Sequence, residues 1–297
     1  MQVSMDIGRV GVWQGVLDQQ PSSRVRELVG EIESMGWPTL WVPEATGRDA
    51  FVSSSVILGA TTRLNVATGI AQVHARDPMA MANAQRTIFE AYDGRFLLGI
   101  GVSHAPIIEK MRKQDYVKPF SMMESYLAAM AEAPFTAVGP SEQPPLVLAA
   151  LGPKMLELAA KAAQGAHPYF VPPEHTALAR QIMGPEALLA PEQMVLLETD
   201  AGRAREIARK VMKTYLRLPN YTNNLRRLGY GDDDLSGPSD RLVDAIVAWG
   251  DEDAVVARVK AHHDAGADHV CVQHLVERAG EVPIEAWRRL ADALVAG

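Results

Sequence analysis

Among the side chains of this 297-residue chain that can move a proton at or near neutral pH, four have positions that suggest a shared site: Glu44, His74, His104 and His167. Three lie at or just beyond the end of a short apolar run rich in Val, Ile or Leu, and the fourth, His167, lies beside Pro168 within one. Glu44 follows Thr39–Pro43, His74 follows Leu64–Ile70, His104 follows Phe96–Val102, and His167 stands before Pro168 near the start of Ala166–Val171. Imidazole titrates near neutrality and can relay the proton that accompanies hydride transfer. A carboxylate in the same place can orient a substrate or bind a ring edge, or it can form a structural pair with Arg48. Each histidine can equally be a packing or surface residue.

A second kind of chemistry is written into Ala149–Met155, AALGPKM. An apolar run ends, Gly152 turns, Pro153 opens a helix, Lys154 adds a positive charge and Met155 continues the helix. Free N–H groups and the helix dipole attract anions at such a start, so Gly152, Pro153, Lys154 and Met155 are candidate phosphate contacts; the alternative is a plain capping loop. Ser103 is either a ligand contact or a helix cap. Gly99 and Gly101 lack the third glycine of a dinucleotide fingerprint and lie on the fourth apolar run, not the first. No His-x-His or His-Glu-x-x-His spacing occurs, so no metal is expected. His262 and His263, adjacent on an expected helix and so about 100° apart, read as a solvated helix end.

Parallel strands covered by crossover helices would bring these positions together. The expected strands are Arg9–Trp13, Thr39–Pro43, Leu64–Ile70, Phe96–Val102, Pro145–Leu151, Ala166–Val171, Met194–Glu198 and His269–His274. Amphipathic stretches alternate with them: Arg24–Met35, Pro78–Tyr92, Lys154–Ala163, Thr176–Met183, Ala201–Leu216 and Asp251–Ala265. The pattern predicts a (β/α)8 TIM barrel spanning residues 1–297 as a single domain, whose reacting groups gather at the C-terminal strand ends. Two regions break the alternation. His104–Pro144, with a helix over Met122–Ala133, is an extended connection after the fourth strand. Asn220–Gly250, with helical pieces around Gly231–Gly237, is a cap between the seventh and eighth.

Composition narrows the partners. A net charge of −7 opposes phosphate-backbone attraction, so nucleic acid is not expected. Met1–Val12 has no basic region followed by an apolar stretch, and no segment is apolar for long enough to span a bilayer, which leads us to expect a cytoplasmic protein with no membrane partner. The single cysteine, Cys271, excludes an intramolecular disulfide, and its Val270–Val272 context suggests packing.

Four segments resemble the luciferase-like monooxygenase family, in the family's order. They are MGWPTLWVPE with Gly36, Trp41 and Glu44; TRLNVATGI followed by DPMAMANAQRTI; GRFLLGIGVSH; and WGDEDAVVARVKAHHDAGADHVCV. The runs GIGVSHAP, HPYFVPPEHT and LPNYTNN are most similar to an actinobacterial subgroup taken to use coenzyme F420. The resemblance implies a coenzyme F420-dependent oxidoreductase that moves hydride between the deazaflavin C5 and a small or medium organic molecule. It also implies a non-prolyl cis peptide between Gly69 and Ile70 beneath the ring, a cofactor tail near Gly152, and a homodimer. Three other readings stay open: an FMN-dependent monooxygenase in the same barrel, a non-catalytic protein that binds the cofactor, and a metal-dependent hydrolase.

Overall fold

The computed structural model describes residues 5–296, so Met1–Ser4 of the N-terminal stretch lie outside the described residues. Its strands are β1 Val10–Trp13, β2 Thr39–Val42, β3 Asn65–Thr68, β4 Ala71–Gln72, β5 Phe96–Gly101, β6 Leu146–Leu148, β7 Gly165–Ala166, β8 Leu188–Leu189, β9 Glu192–Leu197, β10 Val247–Gly250 and β11 Val270–His274. All pair in parallel, in the order β10-β9-β11-β1-β2-β3-β5-β6-β7-β8, with β4 beside β5. β8 and β9 are one stretch of chain broken at Ala190–Pro191. On one side Ala190 N–H donates to Ala166 O at 2.9 Å, and on the other Cys271 N–H donates to Pro191 O at 3.1 Å. Both arms of the sheet therefore meet in this stretch, and the architecture is TIM-barrel-like.

The strands are mostly apolar because both faces are covered, with exceptions such as Glu192 and Gln193 at the start of β9. Alternation turns Val12, Leu40, Leu98 and Val272 outward into the layer shared with the helices. It turns Trp13, Trp41, Leu97, Val147 and Cys271 inward into a separate cluster. Cys271 packs as expected, fully buried, with its thiol 3.6 Å from Pro191 O. Small residues make room for the large ones. A Cβ at Gly11 would stand 2.8 Å from His269 Nε2, the atom that accepts the Trp41 indole N–H at 3.0 Å.

Six expected helices form near their expected limits, among them Pro78–Ala91, Pro153–Ala162 and Glu252–Asp264. Asp49, Asp77, Asp200 and Asp251 cap helix starts by accepting first-turn N–H groups, each worth about 1 kcal/mol. Helices Ala50–Leu58 and Ile284–Leu294 were not expected. The strand expected over Leu64–Ile70 breaks after Thr68, and the chain resumes as β4 against β5. Most of Ala166–Val171 is not strand, because Pro168 lacks a donor and Phe170 takes a left-handed φ of 61°. Val247–Gly250, expected within the cap, instead extends as β10 beside Met194–Leu197.

The His262–His263 reading is corrected. Their angular offset turns one ring inward: His262 is fully buried, 2.9 Å from Gln193 Oε1 and 2.8 Å from Thr176 Oγ1. Among the described residues no helix is long and apolar enough to cross a membrane.

Candidate functional site

The C-terminal strand ends open into a cavity of about 630 Å³, within the size range of small-molecule sites. Its wall brings together Glu44, Gly69, Ile70, Ser103, His104, Gly152, Met155 and His167. His74, Pro153 and Lys154 do not line it. Among the described residues no three His, Cys, Asp or Glu side chains are grouped to hold a metal ion.

Glu44 ends β2 with its carboxylate committed to the protein. It accepts the N–H of Gln72 at 2.7 Å and of Ala50 at 3.1 Å, and it is paired with Arg76 through both guanidinium nitrogens, Nη1 lying 2.9 Å from Oε2. Arg48, its expected structural partner, instead bonds the carbonyls of Leu17 and Gln20. Asp49 joins the same guanidinium at 2.5 Å. Burial works to raise the Asp49 pKa, but hydrogen bonds from its helix start and from Arg76 outweigh it and hold the carboxyl below the usual range.

Gly69 and Ile70, joined by a cis peptide bond, form the wall between β3 and β4. A Cβ on Gly69 would stand 2.7 Å from Trp13 Nε1 and 2.8 Å from His167 Nε2. Both atoms are buried without a protein partner. The His167 ring is fixed by stacking on Trp41, with centroids 4.2 Å apart, and by donating its Nδ1–H to Ala190 O at 2.7 Å. Nε2 is therefore an acceptor. Burial lowers the His167 pKa to about 4, so the ring is neutral at neutral pH. One unpaired donor, the Trp13 indole N–H, and one unpaired acceptor, His167 Nε2, thus lie buried side by side against Gly69 in the cavity wall.

Ser103 and His104 follow β5. Ser103 holds a left-handed φ of 59°, and its carbonyl accepts from the Tyr116 hydroxyl at 3.2 Å. It is not a helix cap: the turn Pro106–Met111 has Ala105 at that position, with no side-chain capping bond. His104 Nδ1 donates to Asn220 Oδ1 at 3.0 Å, which leaves Nε2 as an acceptor, and its ring leans on Tyr221 with centroids 5.3 Å apart. Burial lowers its pKa, partly offset by the Asn220 bond. His74 sits behind the wall on the turn Val73–Ala75, both ring nitrogens unpartnered, 6.0 Å from the cavity-lining ring of Tyr116. Burial, then the nearby charge of Arg112, lowers its pKa.

The helix Pro153–Ala162 begins at the cavity edge with no side chain capping it. The positive charge that meets this start from the cavity wall is Arg227; Lys154, likewise exposed, does not line the cavity. Arg227 Nη2 would stand 3.5 Å from a Cβ on Gly152, and the side chain donates to Asn224 at 3.3 Å with no carboxylate partner among the described residues. Arg227, Asn220 and Tyr221 all belong to helix Pro219–Arg227, which covers the cavity. Asn220 and Tyr221 fall within the LPNYTNN run at the start of the expected cap, whereas nothing in the spacing of the sequence marks Arg227.

A cavity at the C-terminal strand ends is where parallel barrels of this kind carry their sites. The sequence profile of the luciferase-like monooxygenase family matches residues 9–269, and the chain belongs to that family. A Mycobacterium tuberculosis protein carrying the provisional name of a coenzyme F420-dependent oxidoreductase is 29% identical over 204 residues, 58% of each chain. The chain thus spans under two thirds of the length of that curated relative. Among solved structures, an F420-dependent secondary alcohol dehydrogenase in complex with an F420-acetone adduct superposes with a TM-score of 0.78 at 14% identity, covering 100% of this chain and 99% of that one. A type II Baeyer-Villiger monooxygenase of Pseudomonas putida in complex with FMN gives 0.68 at 13%, covering 95% of each.

Proposed function

We propose that this chain is a coenzyme F420-dependent oxidoreductase that exchanges hydride with a small or medium organic molecule. The observation that carries this reading is the anion-suited edge of a mostly apolar cavity: an uncapped helix start at Gly152 faces a carboxylate-free Arg227, while the Trp13 indole N–H and His167 Nε2 lie buried and unpaired under Gly69. A deazaflavin fits that donor set: its ring edge carries carbonyl and N–H groups, and its tail carries a phosphate suited to a helix start. When bound it supplies hydride exchange at C5. Trp13, His167, Gly69 and Ile70 would hold the ring, with Ser103 beside it, while Gly152, Met155 and Arg227 would hold the tail; Pro153, expected to contact it, is off the cavity wall and has no N–H to donate.

His104 is the proton-handling group in this reading. Its Nε2 is a free acceptor on the cavity wall, fixed by the bond from Nδ1 to Asn220. It takes the hydroxyl proton of an alcohol as hydride leaves the carbon, or returns that proton to the oxygen of a carbonyl being reduced. His167, neutral and committed at Nδ1, orients; Glu44 organises the wall through Arg76; His74 acts only behind Tyr116. The FMN-bound relative makes the monooxygenase reading the alternative occupant of the same cavity. Anaerobic single-turnover spectra test the choice: deazaflavin absorbance should bleach or recover with an alcohol or ketone without oxygen uptake, and oxygen-dependent turnover with FMN alone would overturn it. The homodimer remains a proposal from family resemblance, tested by light scattering.

A further inference from the structure

We infer that the cavity selects a neutral, flat, conjugated ketone or the matching alcohol, and that the Tyr221 hydroxyl reads its oxygen. This rests on the oxidoreductase reading and names its substrate class. The wall away from Glu44 is aromatic. Tyr169 lies 5.2 Å from Trp13 and 5.4 Å from Tyr215, and Tyr215 meets Tyr221 edge-on at 5.6 Å, all ring centroid distances. Such faces favour a planar partner over a bulky aliphatic one.

The hydroxyls of this wall are not equivalent. Tyr169 donates to Gln273 Oε1 at 2.7 Å, so the 2.7 Å contact between Tyr169 and Tyr215 uses the Tyr215 hydrogen. Both hydrogens are spent inside the protein. Tyr221 makes no side-chain hydrogen bond among the described residues, although its ring is packed against Phe170, Tyr215 and His104 and it lines the cavity. Its oxygen is not among the buried unpartnered atoms, so the hydroxyl is open to the cavity and free to donate to a ligand oxygen. Burial, with Tyr215 and Glu192 nearby, keeps the Tyr221 hydroxyl protonated well beyond the ordinary phenol range. It therefore donates a hydrogen bond and keeps its proton, leaving proton exchange to His104, whose ring leans on it.

Among the described residues no cation lies over the Tyr221 ring. Arg76 is already paired with Glu44 and Asp49, and Arg227 stands at the helix start on the cavity edge. A carboxylate substrate would face Tyr221 without a counter-charge and lose its hydration.

Calorimetric titration of the full chain, free of cofactor, tests this with three probes of one shape: 2-acetylnaphthalene, 2-ethylnaphthalene and 2-naphthoate. The ketone should bind tightest. Tyr221→Phe should weaken the ketone about tenfold and leave the ethyl compound within about twofold. Tyr215→Phe, which keeps the Tyr221 hydroxyl, should preserve the preference for the ketone. The inference is overturned if Tyr221→Phe leaves ketone affinity unchanged, if naphthoate binds tighter than the ketone, if Tyr215→Phe alone abolishes the preference, or if the parent chain binds no probe. Deazaflavin titration of the same protein separates the two readings. Ketone preference without deazaflavin binding removes only the cofactor assignment, and deazaflavin binding without that preference removes only the substrate class.

Discussion

Glu44 and Arg76 form a two-point ion pair at the end of β2, with side chains only 5% and 11% exposed. The pair ties the cavity wall to the start of helix Ala50–Leu58, because the same carboxylate accepts Ala50 N–H. Glu44→Gln leaves Arg76 with Asp49 as its remaining counter-charge but weakens the charge-assisted bonds to Arg76, Ala50 and Gln72. It should therefore lose roughly 1 to 3 kcal/mol of stability, read as a lower urea midpoint, with any loss of turnover recovered in a stabilised background. A variant as stable as the parent but slow in turnover would instead give Glu44 a direct role in the chemistry.

His104→Gln should keep deazaflavin affinity within a few-fold and slow turnover by roughly 10². Because burial lowers the His104 pKa below its ordinary 6.5, the rate's dependence on this group should fall on the acid side of that value. His74→Gln, behind the wall, should leave single-turnover rates within about twofold of the parent. Stopped-flow absorbance across pH reads all three effects. Equal slowing by His74→Gln and His104→Gln would remove the assignment.

Arg227→Ala should weaken deazaflavin binding by about 1 to 2 kcal/mol, the size of a partly exposed charge-assisted bond. Lys154→Ala should change it little, since Lys154 is off the cavity wall. The reverse ranking would move the tail to the outer side of the helix.

Much of this site was readable before the fold was known, for a physical reason. Parallel strands deliver their C-terminal ends to one face, so finding where apolar runs stop was enough to group Glu44, Ile70, Ser103, Gly152 and His167. What was not readable depends on packing between distant segments. Arg227, Asn220 and Tyr221 reach the cavity only because Tyr221 and Leu225 bury themselves with Met194 and Leu196 in a second apolar cluster. Arg48 was the nearer cation in sequence, but its guanidinium is held by the Leu17 and Gln20 carbonyls, so Arg76 took the pair with Glu44. Adjacent histidines on one helix had to face different surroundings, and spacing alone did not say that His262 was the one facing inward.

Buried titratable groups fix the pH profile of stability. Burial raises the Glu192 pKa from 4.5 to about 8, so between those values the folded chain holds a proton that the unfolded chain has lost, and this contribution falls as pH rises. Burial lowers His167, His269 and His274 from 6.5 to about 4 and His262 to about 3, so there the folded chain holds fewer protons and stability falls as pH drops below 6.5. Several histidines outweigh one carboxyl on the acid side. The urea midpoint should peak near neutrality, and Glu192→Gln should flatten its alkaline decline. A midpoint unchanged between about pH 5 and pH 8 would contradict these burial effects.

The central claim is that this cavity is built for a deazaflavin, and parallel equilibrium titration of the purified chain with coenzyme F420 and with FMN tests it most directly. The account predicts saturable F420 binding tighter than FMN, weakened by Arg227→Ala and unaffected by Lys154→Ala. Tighter binding of FMN, or no saturable binding of F420, would contradict it.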